Sequence, residues 1–186
     1  MIRRGFLIAA LLTAAGAAGA QDNPVLVLNV TGKASGEVRI ELRPDLAPQH
    51  VERITRLAKE GAYDDVAFHR VIPGFMAQTG DVQYGKRDAL SQGRAGTGGS
   101  GYADLPAEFS SASFVTGVVG MARAQNPNSA NSQFFIMTDP APHLNGQYTV
   151  VGEVVSGMDV VNSIQIGAGR SGAVRDPDFI DSASVD

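Results

Sequence analysis

The chain has 186 residues, with 15 Lys plus Arg against 19 Asp plus Glu for a net charge of −4, and it contains no cysteine and no tryptophan. That length suits one domain with a substantial core, and the mildly acidic balance argues against nucleic acid or an anionic membrane as the main partner. Zero cysteine excludes a thiolate metal site and is compatible with an oxidising compartment without requiring one.

Met1-Ile-Arg-Arg4 is basic, Gly5 to Ala17 is apolar, and Ala18-Gly19-Ala20 supplies small residues before a cleavage point. This predicts a signal peptide over residues 1–20, cleaved after Ala20, and a single domain over 21–186. The apolar run is shorter than the roughly 20 residues a membrane-spanning helix needs. Arg3-Arg4-Gly-Phe-Leu7 also carries the core of a twin-arginine signal without its usual flanks. Sec export is the first expectation and the twin-arginine route stays open. Cleavage would remove Arg3, Arg4 and no acid, leaving 166 residues at −6.

Val25–Val30 and Gly36–Leu42 read as a hairpin of half-buried strands. Pro48 at a helix start, Val51, Ile54, Leu57 and Ala58 at helical spacing, and Gly61 just past the end predict an amphipathic helix. In Phe68-His-Arg-Val-Ile-Pro-Gly-Phe-Met-Ala-Gln-Thr-Gly-Asp81, two short strands join at Pro73-Gly74. Strand alternation then lets Arg70, Phe75, Met76 and Gln78 lie near one another and turns His69 to the opposite face. A permanent cation among large apolar residues with no carboxylate beside it is either paired structurally or presented to a ligand.

Gly96-Thr-Gly-Gly-Ser-Gly101 satisfies GxGxxG literally, but no buried strand precedes it and no helix follows, so it reads as a flexible loop. Strands are predicted at Val115–Ala122, Gln133–Thr138 and Thr149–Val154, with a polar Asn-, Ser- and Pro-containing loop between the first two. A short helix is expected over Met158–Ile164, then a loop holding Gly167, Gly169, Gly172 and Pro177, and a last strand near Phe179–Val185. Many short strands and only two helices suggest a closed antiparallel barrel. The three histidines, His50, His69 and His143, lie far apart, with no His-Glu-x-x-His spacing and no nucleophile elbow.

The runs Phe68–Asp81, Gly117–Met137 and Leu144-Asn-Gly-Gln-Tyr148 together resemble the cyclophilin family of peptidyl-prolyl cis/trans isomerases, here in the form of an exported bacterial member. The resemblance runs from about Val25 to the Ile164 region. It implies an eight-stranded closed barrel capped by two helices, with Arg70 as the catalytic arginine and Gln78 holding the substrate backbone. Phe75, Met76, Phe135 and Leu144 would receive the proline ring. Ala122 and Arg123 would offer main-chain groups to the residues before the proline, with Gln133 beside them and the glycine-rich loop bordering that region.

His143 stands where many eukaryotic members have tryptophan, and Tyr148 where they have histidine, which implies weak binding of the cyclosporin class of inhibitors. Neither cofactor nor metal is implied. The expected partners are proline-containing peptides and unfolded exported proteins in the periplasm, and no heptad run calls for anything but a monomer. The rival readings are a non-catalytic proline-peptide-binding chaperone module and an unrelated hydrolase.

Overall fold

The computed structural model describes residues 23–186, and the expected signal peptide lies outside them. Strands β1 (Val25–Thr31) and β2 (Gly36–Leu42) form the hairpin, and α1 spans Pro48–Lys59. Next come β3 (Val66–Ala67), β4 (Arg70–Ile72), β5 (Met76–Thr79), β6 (Val118–Met121) and β7 (Phe134–Met137). β8 (Val150–Ser156), α2 (Met158–Ser163) and β9 (Phe179–Val185) complete the order.

The strands form one nine-stranded antiparallel sheet in the order β3-β9-β1-β2-β8-β6-β7-β5-β4. It curls around the core without closing, so the expected closed eight-stranded barrel is corrected to an open, half-barrel sheet of nine strands. The ninth is β3, a two-residue piece that hydrophobic patterning cannot separate from β4. Between them Phe68 leaves the ladder to donate to Asp178 O (2.9 Å), and His69 O accepts from Val174 N (3.0 Å). The sheet's two end strands are therefore neighbours in sequence, and an irregular segment before β9 seams them where a regular strand would have closed the barrel.

Leu26, Leu28, Val38, Ile40 and Leu42 alternate inward along the hairpin and meet Val51, Ile54 and Leu57 of α1. A second, smaller apolar cluster forms on the other face of the sheet, from Met76, Phe114, Val118, Phe135, Met137, Leu144 and Val150. β1 lies between β2 and β9, with Val25 N donating to Asp186 O (3.2 Å).

Helix α1 has Ala47 at its N-cap, which offers no side-chain acceptor. Glu108 supplies one from a distant loop: its carboxylate accepts from the main-chain N–H of Gln49 (3.2 Å) and of His50 (3.1 Å), and from His50 Nδ1 (2.6 Å). Burial opposes the ionised Glu108, but these donors outweigh it and hold the carboxyl below its ordinary range. His50 is fully buried and its Nε2 has no partner among the described residues, so burial pushes its pKa below the usual imidazole value despite Glu108. His69, also buried, shifts the same way for the same reason.

Both kinds of group stabilise the fold only while deprotonated. Histidine pKa values lowered on folding give stability that is present above 6.5 and lost as pH falls through the folded values. Glu108 adds a second loss below 4.5. Denaturant unfolding should therefore give a free energy that declines from pH 7 to 4. Glu108→Ala should cost about 1 to 3 kcal/mol at pH 7. A flat profile, or an unchanged midpoint in the variant, would contradict this account of α1.

Candidate active site

Register places the site. Arg70 pairs with Gln78, Gln78 with Phe135 and Phe135 with Gly120, so one row crosses β4, β5, β7 and β6. Two residues along, Ile72, Met76 and Met137 form a parallel row on the same face. The first row therefore puts a cation, an amide and an aromatic ring side by side, and the second lays an apolar floor next to them.

Arg70, Met76, Gln78 and Phe135 of these rows line a cavity of about 170 Å³, and Phe75, Ala122, Arg123, Leu144 and Tyr148 complete its walls. Phe135 is braced on two sides, stacked on Phe114 (centroids 5.8 Å, 25°) and edge-on to Tyr148 (5.8 Å, 82°). Of the residues expected at the site, only Gln133 and His143 stand outside this wall. His143 is exposed and stacks on Phe75 at 5.8 Å, at the rim.

Gln133 lies in the neighbouring polar cavity of about 510 Å³, which Gly96–Ser100, Asp104, Asn131 and Ser132 also line. Gln78, Ala122 and Arg123 border both spaces and form the divide. The Arg123 guanidinium sits over the Tyr148 ring (4.3 Å) and donates to the main-chain oxygens of Ala124 (3.0 Å), Gln125 (3.3 Å) and Gln147 (2.9 Å).

Arg70 is half-buried, and among the described residues no carboxylate lies within ion-pair distance of it. Its Nη1 donates to Gln78 Oε1 (3.1 Å) and its Nε to the Ser171 main-chain oxygen (2.9 Å). The amides continue the line: Gln78 Nε2 donates to Gln133 Oε1 (2.9 Å), and Gln133 Nε2 to Gly98 O (2.8 Å). Arg70 Nη1 also lies 4.0 Å from Met76 Sδ, and every acceptor in this line is neutral, which orients the guanidinium without cancelling its charge. The arrangement offers a charge-assisted donor beside the apolar side chains of Phe75, Met76, Phe135 and Leu144.

The glycine-rich loop, expected to be flexible, is tied down. Buried Asp81 accepts from the main-chain N–H of Gly96 (2.7 Å), Gly98 (3.0 Å), Tyr84 (2.8 Å) and Gln83 (3.1 Å). His69 packs beneath the same loop, where a Cβ on Gly96 would lie 3.0 Å from its ring.

Known proteins share this sequence and shape. The sequence pattern of the family described as cyclophilin type peptidyl-prolyl cis-trans isomerase/CLD matches residues 26–185. A probable peptidyl-prolyl cis-trans isomerase of Brucella suis is 65% identical over 153 residues, covering 81% of this chain and 78% of that protein. Peptidyl-prolyl cis-trans isomerase B of Bacillus subtilis is 39% identical over 132 residues, covering 70% of this chain and 85% of that one. The crystal structure of a cyclophilin from Hirschia baltica is similar with a TM-score of 0.71 at 29% identity, over 87% of this chain and 73% of that one. A cyclophilin-type isomerase of Cryptosporidium parvum, crystallised in the presence of the dipeptide Ala-Pro, shares the fold at a TM-score of 0.72 and 24% identity, over 87% of this chain and 98% of that one.

Several contributors escape sequence reading. Phe114 backs Phe135 from a loop whose pattern gives no strand or helix, and the Ser171 oxygen is main chain, invisible in residue type. Gly120 reads as an interruption in a strand, yet a Cβ there would lie 2.6 Å from both Phe114 and Phe135. Only glycine lets the two rings stack in that space. Gly120→Ala should therefore cost about 1 to 3 kcal/mol by overpacking and displace Phe135. Thermal unfolding together with the aromatic NMR shifts of Phe135 checks this, and unmoved shifts would refute it.

Proposed function

The chain belongs to the cyclophilin-type peptidyl-prolyl cis-trans isomerases and is an isomerase enzyme, and we propose that Arg70 accelerates rotation about X-Pro bonds by donating to the prolyl nitrogen of the twisted amide. Resonance opposes that rotation by about 18 to 20 kcal/mol. Planar amide nitrogen shares its lone pair with the carbonyl, whereas the half-turned nitrogen is pyramidal and can accept a hydrogen bond. A donor aimed there binds the transition state better than either ground state, the condition for raising turnover.

The observation that carries this reading is the position of Arg70: a guanidinium without a carboxylate partner among the described residues, at the wall of a cavity sized for a small ring. Phe75, Met76, Phe135 and Leu144 hold the proline ring, and Gln78 with the Ala122–Arg123 main chain holds the residues before it. Motion is then restricted to the bond between the two grips. The apolar walls favour the less charge-separated twisted amide. The polar cavity across the divide admits the preceding residues beneath the glycine-rich loop, and the Arg123 cation beside it tunes which of them are preferred.

Arg70→Ala should lower kcat/KM for a proline tetrapeptide about ten- to hundredfold, the worth of one hydrogen bond from a charged donor. Exchange spectroscopy of the cis and trans peptide signals measures it, and equal rates in both proteins would sink the role given to Arg70.

The clients we propose are newly exported envelope proteins, whose slow X-Pro bonds delay folding after translocation. The basic, apolar and small-residue order of residues 1–20 supports periplasmic delivery, and Phe75 stacked under His143, with no tryptophan in the chain, supports weak cyclosporin binding. Expressed with its leader, the protein should be recovered from the periplasm with Gln21 as its first residue. Cytoplasmic protein that retains Met1 would refute the export reading.

A further inference from the structure

Arg70 sits on the end strand of the sheet, so the outer edge of β4 would be bare if nothing covered it. The segment 167–174 covers it. Val71 N donates to Gly172 O (2.8 Å), Gly167 N to Val71 O (2.9 Å), and Arg70 forms an isolated bridge with Ala173. The same segment brings the Ser171 main-chain oxygen to Arg70 Nε at 2.9 Å, from 101 residues away in sequence.

This approach depends on Gly172, which is buried and left-handed at φ 70°. A Cβ there would collide with Ile72 Cγ1 and stand 3.0 Å from the Val71 oxygen. Arginine has several rotatable bonds, and contacts at Nη1 alone, to Gln78 Oε1 and at 4.0 Å to Met76 Sδ, leave its plane free to swing about that corner. A second acceptor on Nε, at another corner of the fork, removes that freedom. No residue of the 167–174 segment lines the 170 Å³ cavity, so the segment acts on the guanidinium and leaves the pocket walls alone.

We propose that Ser171, through its main-chain oxygen, is a positioning residue for Arg70, and that the segment 167–174 sets the aim of the guanidinium and hence the turnover of the enzyme. The proposal rests on the role given to Arg70 above. Binding of the proline ring does not depend on the segment, so turnover and affinity separate when it is disturbed.

The test compares Gly172→Ala in the wild-type and Arg70→Ala backgrounds, with kcat and KM measured on a proline tetrapeptide. The ¹⁵N signal of Arg70 Nε–H, assigned by its loss in Arg70→Ala, reads the hydrogen bond directly. Gly172→Ala should lower kcat about tenfold or more, as displaced catalytic groups do, and leave KM within about twofold. It should move the Nε–H signal and cost nothing further when Arg70 is already alanine, because the two act as one unit. Should Gly172→Ala not fold, Ser171→Gly removes the Oγ contacts to Ala168 and Ala173 without adding bulk and is expected to act in the same direction.

An equal loss in both backgrounds, or a shifted Nε–H signal with unchanged kcat, would overturn the proposal. An Arg70→Ala enzyme of normal turnover would instead overturn the role of Arg70 itself. The two failures are distinguishable because the Nε–H signal reports the Ser171 bond independently of rate.

Discussion

The pairing of Arg70 with Gln78, and of Gln78 with Phe135, is the constraint on which the site depends. Side chains alternate faces along a strand, so a slip of one residue between β5 and either neighbour would send the cation or the ring into the inner core. The inner face resists such a slip because Val71, Ala77 and Ile136 are committed to the main cluster. Packing on one side of the sheet thus holds the geometry of the other. The site needs no separate scaffold, since the hydrophobic core sets its register.

A second constraint is electrical. A half-buried guanidinium without a counter-ion among the described residues costs free energy in desolvation, and the fold offsets part of this with neutral oxygens from Gln78 and Ser171. A carboxylate in either place would have been more stabilising for the folded chain. It would also have drawn the charge away from anything bound in the pocket. The role proposed for Arg70 accounts for the lack of such a carboxylate among the described residues.

Much of this was legible in residue order. The helix at Pro48–Lys59 followed from Val51, Ile54, Leu57 and Ala58 at helical spacing, and the β4–β5 hairpin from Pro73-Gly74 between apolar runs. The cavity wall from Arg70 to Tyr148 followed from resemblance on those same residues. Patterning could not resolve whether the barrel closes. Closure depends on how Phe68 and His69 leave the ladder and on main-chain bonds from a glycine-rich segment, neither of which leaves a periodic trace. The Glu108 cap on α1 was equally hidden, because it joins positions 58 residues apart through a loop without pattern. The tethering of the glycine-rich loop depended on a single buried carboxylate, Asp81, whose four N–H partners no composition rule identifies.

The place of β9 between β3 and β1 has a consequence for how the molecule assembles. Asn29 meets Ser182, 153 residues further on, so the first hairpin keeps an unsatisfied edge until β9 docks. Loop closure over that span is slow and leaves strand edges open to other chains in the meantime. Until β9 docks, the facing edges of β1 and β3 both stay unpaired, so one strand seals two gaps in the sheet at once.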